Sequence, residues 1–245
     1  MKVIALIPAR MGSSRFPGKP LKKIVNKEMI LHVMDNATEA TCIDEVYVAT
    51  CDIEIFNLVT TFGGKAIMTS NKHERASDRC AEALLKIDPN KEVDIVVMIQ
   101  GDEPMVNSKM LEQAIKPMID DQSINVTNLL GKLEDNDYHD QNCIKVVTDL
   151  NSDALYFSRS AIPSNGLDCY SSVGRQICVI PFRRDFLIKY TNMKPTPLEV
   201  AESVDMLRIL EHGYKVRLIN TKYKTYPVDT LEDLHRVESL MNQVK

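Results

Sequence analysis

The feature that most constrains this chain is the alternation, through its first half, of short continuous apolar runs with amphipathic helical patterns. Val3 to Ile7 is an unbroken apolar run, as expected of a parallel strand covered on both faces. Met29 to Ala40 reads as a helix with Ile30, Val33, Met34 and Ala37 on one side. Glu45 to Thr50 reads as a strand, Ile53 to Phe62 as a helix closed by Gly63 and Gly64, and Lys65 to Met68 as a short strand. Ser77 to Ile87 is the next helix, with Ser77 and Asp78 suited to its start and Ala81, Leu84 and Leu85 facing inward. Val93 to Ile99 is the most apolar strand and ends at the polar turn Gln100 to Pro104. This order predicts an α/β fold with a mostly parallel, doubly wound sheet whose ligands bind at the carboxyl ends of the strands.

After about residue 124 the pattern changes. Cys143 to Thr148 and Ala154 to Arg159 read as two strands about a turn at Asp149 to Ser152, hence a hairpin rather than a crossover. Ser164 to Arg175 is rich in Ser, Gly and Asn and reads as a mobile loop. Pro197 to Glu211 reads as one helix with Leu198, Ala201, Val204, Leu207 and Leu210 inward, followed by a strand at Lys215 to Asn220 and a last helix from Thr230 to Met241. The 245 residues are expected to form one domain: a nucleotide-binding half (1–123), an acceptor-binding and dimerisation region (124–222), and a closing segment (223–245).

A formal net charge of -4 argues against a general nucleic-acid footprint, so local basic clusters read as small-anion sites or solvated surface. Cys42, Cys51, Cys80, Cys143, Cys169 and Cys178 form no C-x-x-C pair and no zinc spacing with histidine, which suits a reducing, cytoplasmic setting. The apolar run at the N-terminus stops at Pro8, too short for a signal sequence or a membrane span.

Four segments carry candidate chemistry. Ile7 to Pro20 leaves the first strand with Arg10, Arg15 and Lys19, two hydroxyls and two glycines, a composition that can wrap a phosphate chain. It matches neither the Walker loop nor the dinucleotide fingerprint, and an ordinary solvated loop is the plain alternative. Gln100 to Pro104 puts Asp102 where phosphate-bound Mg²⁺ needs a carboxylate, although acidic turns are common. In Val228 to Leu234, Asp229 is a candidate second metal ligand, while Asp229 or Thr230 equally suits a helix cap. His73 to Arg79 opens a helix with two arginines that suit an anion or a base edge, and His73 itself is given no catalytic role.

Taken together, these residues resemble the CMP-Kdo synthetase family, the 3-deoxy-manno-octulosonate cytidylyltransferases, over nearly the whole chain. Ile7 to Leu21 reproduces the family's I-P-A-R-x-x-S-x-R-x-P-G-K-P-L signature, joined by Val48 to Thr50, Gln100 to Met105, Leu155 to Pro163, Pro197 to Glu199 and Val228 to Leu234. The resemblance implies a Rossmann-like nucleotidyltransferase fold, a homodimer, CTP as donor, Mg²⁺ as cofactor, and a role in surface-polysaccharide synthesis; the 143–159 hairpin is the expected meeting point of the subunits. It implies that Pro8, Ala9, Arg10, Ser13, Lys19, Ser77 and Arg79 hold CTP, with Arg10, Lys19 and Asp102 at the chemistry. Asp102 and Asp229 would hold the metal, and Gln100, Arg159, Gln176 and Asp205 the sugar acid.

The departures from the family pattern cluster on the acceptor side. Ala76 replaces a glycine, Gln176 and Ile180 stand for a histidine and a tyrosine, Asp205 and Met206 for a Glu-Gln pair. A family arginine is missing near Gly166, and Lys224 to Pro227 replaces a Gly-rich approach to Asp229. Loss of buried hydrogen-bonding groups costs discrimination, so the expectation is an acidic or polyhydroxylated acceptor other than Kdo itself. The alternatives are transfer to another polyol, phosphate or phosphonate, or a nucleotide-binding regulator without turnover.

Overall fold

The computed structural model describes residues 1–12, 15–164 and 172–243, so Ser13, Gly166 and Cys169 lie outside the described residues. The chain forms two compact units, Met1–Glu112 with Thr225–Lys245, and Gln113–Lys224.

In the first unit, β1 (Val3–Ala9) is buried along its whole length because its side chains meet core on both faces. After it come a short antiparallel ribbon, β2 (Lys23–Ile24) and β3 (Lys27–Glu28), and helix α1 (Met29–Thr38). Val25 and Asn26 both take positive φ, the geometry of a tight two-residue hairpin turn. Then follow β4 (Glu45–Thr50), α2 (Ile53–Thr61), β5 (Lys65–Met68), α3 (Ala76–Ile87) and β6 (Ile95–Ile99). Within this unit the strands lie side by side as β6-β1-β4-β5, all parallel. The chain moves outward from β1 through β4 and β5, then returns to the other side of β1 with β6. That reversal is a switch point, and it opens a crevice beyond the carboxyl ends of β1 and β6.

The last helix of this unit, α9 (Leu231–Gln243), buries Leu234 and Val237 in a cluster with Phe16, Ile24, Met29 and Val228. The basic loop after β1 is therefore pinned through Phe16 to core contributed by the C-terminal segment. Helix α3 is shallower than its apolar spacing predicts. Leu84 is buried but Leu85 is 56% exposed, correcting the inward assignment of Leu85.

Helix α4 (Ser108–Asp120), missing from the expected elements although Met110, Leu111, Ala114, Ile115 and Met118 recur at helical spacing and are buried, spans the boundary of the two units in sequence and carries Pro117 inside its last turn. In the second unit come β7 (Thr127–Gly131), α5 (Asp135–His139), β8 (Lys145–Thr148) and β9 (Ala154–Ser158). The expected hairpin is present: β8 and β9 pair antiparallel about a turn in which Asp149 Oδ1 accepts the Asn151 and Asp153 amides, each at 2.8 Å. Next are β10 (Val173–Ile177), β11 (Val179–Arg183), α6 (Arg184–Thr191), α7 (Pro197–Glu202), α8 (Met206–Glu211) and β12 (Arg217–Thr221). The second sheet runs β12-β7-β10-β8-β9.

Two expectations are corrected here. Val173 to Arg175 belongs to strand β10, antiparallel to both β7 and β8, rather than to a mobile loop. Residues 165–171 of that expected loop lie outside the described residues. The single helix over Pro197 to Glu211 is two helices, broken where Ser203 adopts φ 53 and the Val204 amide closes on the Glu199 carbonyl. Glu199 is the reason for the fold-back. It is fully buried and bound by Arg208 through Nε at 2.7 Å and Nη2 at 2.6 Å, the fork geometry of a strong ion pair. Leu198 and Ala201, assigned inward by spacing, are consequently exposed.

Gly174 occupies the centre of the second sheet because nothing larger fits. A Cβ there would lie 2.6 Å from the Gly131 carbonyl oxygen and 2.5 Å from Leu130 Cγ. Gly174→Ala should destabilise the protein by about 1–3 kcal/mol, the usual range for overpacking, read as a fall in the urea unfolding midpoint.

Candidate functional site

The crevice at the switch point is a cleft of about 330 Å³, lined by Pro8, Ala9 and Arg10 from the end of β1 and Gln100, Gly101 and Asp102 from the end of β6. Gly12, Arg15, Lys19 and Pro20 of the basic loop, residues 73–76 and Arg79 at the start of α3, and Asp229 complete the wall. The site residues expected in this unit thus come together, with two exceptions. Ser13 lies outside the described residues, and Ser77 is buried in the first turn of α3 without lining the cleft.

The loop after β1 is shaped by a few contacts. Asp52 Oδ2 accepts the Met11 amide at 2.8 Å, anchoring the loop to the segment after β4. Gly18, at φ 69, then turns the backbone into a short 3₁₀ helix, Lys19–Leu21, which presents Lys19. The left-handed conformation at Gly18 is one that side-chain-bearing residues seldom adopt. Gly101 approaches β1 closely: a Cβ there would meet the Pro8 carbonyl oxygen at 3.0 Å.

Lys19 reaches between two carboxylates. Its Nζ lies 2.6 Å from Asp102 Oδ2 and 3.1 Å from Asp229 Oδ1, while Arg15 Nη2 holds Asp229 Oδ2 at 3.1 Å. Burial alone would lower the Lys19 pKa, but Asp102 and then Asp229 more than offset it and hold it above its ordinary value. Two contacts bring these distant aspartates together. The Val228 amide donates to the Asp102 carbonyl at 2.9 Å, and Thr225 Oγ1 donates to Glu103 Oε2 at 2.7 Å, both side chains of the latter pair being buried. The segment that replaces the family's glycines therefore supplies an anchor, with Tyr226 packed under the Arg236 guanidinium at 4.1 Å.

Of the two readings of the last motif, the helix cap is observed, and it is made by Thr230 rather than Asp229. Thr230 and Asp233 cap α9 reciprocally: Asp233 Oδ2 accepts the Thr230 amide at 2.9 Å and Thr230 Oγ1 accepts the Asp233 amide at 3.1 Å. Capping by Thr230 leaves the Asp229 side chain to the cleft.

On the opposite wall, Arg79 is 3% exposed and donates through Nη1 to Thr69 Oγ1 at 2.5 Å and to the Ser70 carbonyl at 3.3 Å. Its Nη2 has no hydrogen-bond partner among the described residues. Ala76, in place of a glycine, opens helix α3 and lines the cleft, a substitution that favours the helix start. His73 pairs with Glu82 rather than standing free in solvent.

Arg159, Gln176 and Asp205 all belong to the second unit, just after β9, within β10 and just before α8. The Arg159 guanidinium donates to two backbone carbonyls, Glu202 at 2.8 Å and Gln141 at 2.9 Å. Gln176 donates to Asn128 Oδ1 at 2.7 Å, and Asp205 precedes α8. Sequence reasoning missed Lys145, a fully buried lysine whose ammonium donates to the Asp140 and Cys143 carbonyls, each at 2.7 Å, and to that of Arg159. Burial, the leading cause, draws its pKa downward. A lysine beside valines in a strand gave no local sign of this. Asp52, Glu103 and Thr225 were missed because their partners are remote in sequence.

Asp102 and Asp229 are two hard carboxylate donors, of the kind that could hold Mg²⁺ shared with substrate phosphates, and here both are engaged by the Lys19 ammonium. Among the described residues no group of three or more His, Cys, Asp or Glu is placed to hold a metal ion. No helix among the described residues is long and apolar enough to cross a membrane.

The family model described as Cytidylyltransferase matches residues 4–219. The 3-deoxy-manno-octulosonate cytidylyltransferase of Geobacter metallireducens is 41% identical, covering 97% of this chain and 96% of that one. The protein of the same name from Geotalea uraniireducens is also 41% identical, with coverages of 97% and 98%. A solved structure of CMP:2-keto-3-deoxy-manno-octonic acid synthetase complexed with CTP matches at a TM-score of 0.92 and 39% identity over 100% of both chains. A cytidylyltransferase structure from Leptospira borgpetersenii serovar Hardjo-bovis, at 18% identity and TM-score 0.67, shares the fold; the match covers 99% of this chain and 87% of that one.

Replacing Thr225 by Val keeps its shape and removes the donor to buried Glu103. The loss should cost about 1–3 kcal/mol, measurable by urea unfolding with the Asp102 loop otherwise intact.

Proposed function

The chain belongs to the cytidylyltransferase family that includes the 3-deoxy-manno-octulosonate enzymes, and from that premise we propose that it transfers CMP from CTP to Kdo, releasing pyrophosphate. The observation that carries the reading is the convergence of Lys19, Asp102 and Asp229 at the mouth of a cleft that also holds Arg10 and the unsatisfied Arg79.

The reaction joins a hydroxyl oxygen of the acceptor to the α-phosphorus of CTP as the bond from that phosphorus to the bridging oxygen breaks. Pyrophosphate leaves and the hydroxyl proton is lost to solvent, so no side chain is required as an obligatory base. Positioning and charge neutralisation supply most of the acceleration in such transfers. Arg10, Ser13 and Lys19, with the backbone of Pro8 and Ala9, bind the triphosphate and offset charge on the departing pyrophosphate. The Lys19 ammonium, on a flexible four-carbon stem, can turn from the carboxylates to the phosphates. Arg79 holds the nucleoside, with Ser77 buried behind it in the first turn of α3, and Gln100, Arg159, Gln176 and Asp205 are the residues we assign to the acceptor. Asp102 and Asp229 would hold Mg²⁺, which when bound neutralises phosphate charge and lowers the pKa of the attacking hydroxyl.

The near full-length similarity to relatives named for Kdo supports that acceptor over the alternative drawn from the departures. One observation favours a second reading, a different sugar acid. Gln176 is engaged by Asn128, and Ile180, which stands for a family tyrosine, is a buried apolar side chain. The homodimer is part of the proposal. Leu155, exposed on strand β9 of the hairpin at the edge of the second sheet, supports that hairpin as the meeting point. A cytoplasmic setting, where CTP is made available, completes it.

Incubation with CTP, Mg²⁺ and Kdo should release pyrophosphate and give a product with the mass of CMP-Kdo. Release with a related sugar acid but not with Kdo would establish the second reading, and none with any acceptor would refute both. Asp102→Asn should lower turnover at least about 100-fold while the circular dichroism spectrum and melting temperature stay near wild type. An active, well-folded Asp102→Asn protein would contradict the metal assignment.

A further inference from the structure

Helix α3 presents Arg79, Glu82 and Lys86 along one face, three and seven residues apart, and all three grip the segment from Met68 to His73. Arg79 Nη1 holds Thr69 Oγ1 and the Ser70 carbonyl. Glu82 Oε2 accepts the Ser70 amide at 2.9 Å and pairs with His73 Nε2. Lys86 Nζ donates to the Met68 carbonyl and pairs with Glu82 Oε1, both at 2.7 Å. Ser70 is thus clamped from both sides, its carbonyl by Arg79 and its amide by Glu82. Burial would raise the Glu82 pKa, but Lys86, the Ser70 amide and His73 more than offset it and hold the group at about 2, so it is ionised near neutral pH.

This clamp decides which way the Arg79 guanidinium faces. With Nη1 committed to Thr69 and Ser70, the buried Nη2 is left without a partner among the described residues, in a side chain that lines the cleft. A buried donor of this kind is costly until something accepts from it. We propose that Glu82 is a positioning residue for nucleotide selection, fixing Ser70 so that Arg79 offers its free N–H to the base. The proposal rests on the CTP reading above. Cytosine presents an acceptor at N3 beside O2, whereas uracil keeps O2 but carries an N3–H, so a donor directed at N3 tells the two apart. A fixed donor therefore rewards cytosine and meets uracil donor to donor, the kind of mismatch that gives strong discrimination. A guanidinium free to swing would lose that discrimination. Glu82 acts without touching the nucleotide, since it does not line the cleft.

The test is calorimetric titration of CTP and of UTP, with Mg²⁺ and without acceptor, into wild type, Glu82→Gln and Lys86→Met proteins. Glu82→Gln should weaken CTP binding about tenfold and UTP binding little, so that the preference for CTP falls about tenfold. Lys86→Met, at a half-exposed position, should fold and shift the preference in the same direction by a smaller factor, which keeps the proposal testable if Glu82→Gln does not fold. A merely structural role would lower the melting temperature and leave the CTP-to-UTP ratio unchanged, and an unchanged ratio in a folded variant overturns the proposal alone. Wild-type protein that fails to prefer CTP contradicts the nucleotide reading itself.

Discussion

Two carboxylates far apart in the chain, Asp102 and Asp229, face one another across the Lys19 ammonium. Like charges at such proximity repel unless a cation stands between them, so this arrangement exists only because Lys19 and Arg15 are held there. Each participant depends on a separate device: Gly18 turns the loop that presents Lys19, the end of buried β6 delivers Asp102, and Thr230 frees Asp229 by taking over the helix cap. The Glu103–Thr225 and Val228–Asp102 bonds lock the devices into one geometry.

The sheet explains why the cleft lies where it does. Because β1 is flanked by β4 on one side and β6 on the other, the loops leaving β1 and β6 diverge and leave an opening. Both loops depart from strands buried along their length. The first is held further out by Asp52 on the Met11 amide and by Phe16 in the core shared with α9. Across the opening, helix α3 brings an arginine whose partners are fixed on one side only.

The elements with unbroken apolar or β-branched runs were legible in the sequence, and β4 and β5 have the bounds that their residues predict. Tertiary packing decided the rest. Gly174 reads as loop composition, yet it lies in strand β10, where Leu130 and Gly131 leave no room for a Cβ. Helical spacing runs straight through Ser203, yet the buried Glu199–Arg208 pair folds the helix back on itself. Pro117 within α4 is a breaker signal that the last helical turn absorbs. At the site, Arg10, Lys19, Arg79, Gln100, Asp102 and Asp229 were legible because they stand at strand ends and helix starts. Glu82, Glu103 and Lys145 were not, because a charged residue in a helix, turn or strand looks solvated until its partners are known.

The central claim is that Asp102 and Asp229 together form a divalent-cation site completed by the nucleotide. Its most direct test is Mn²⁺ binding in the presence of CTP, followed by electron paramagnetic resonance for wild type, Asp102→Asn and Asp229→Asn. The account predicts that each substitution weakens Mn²⁺ binding by about tenfold or more, with thermal unfolding unchanged. Wild-type affinity retained in either folded variant would contradict it.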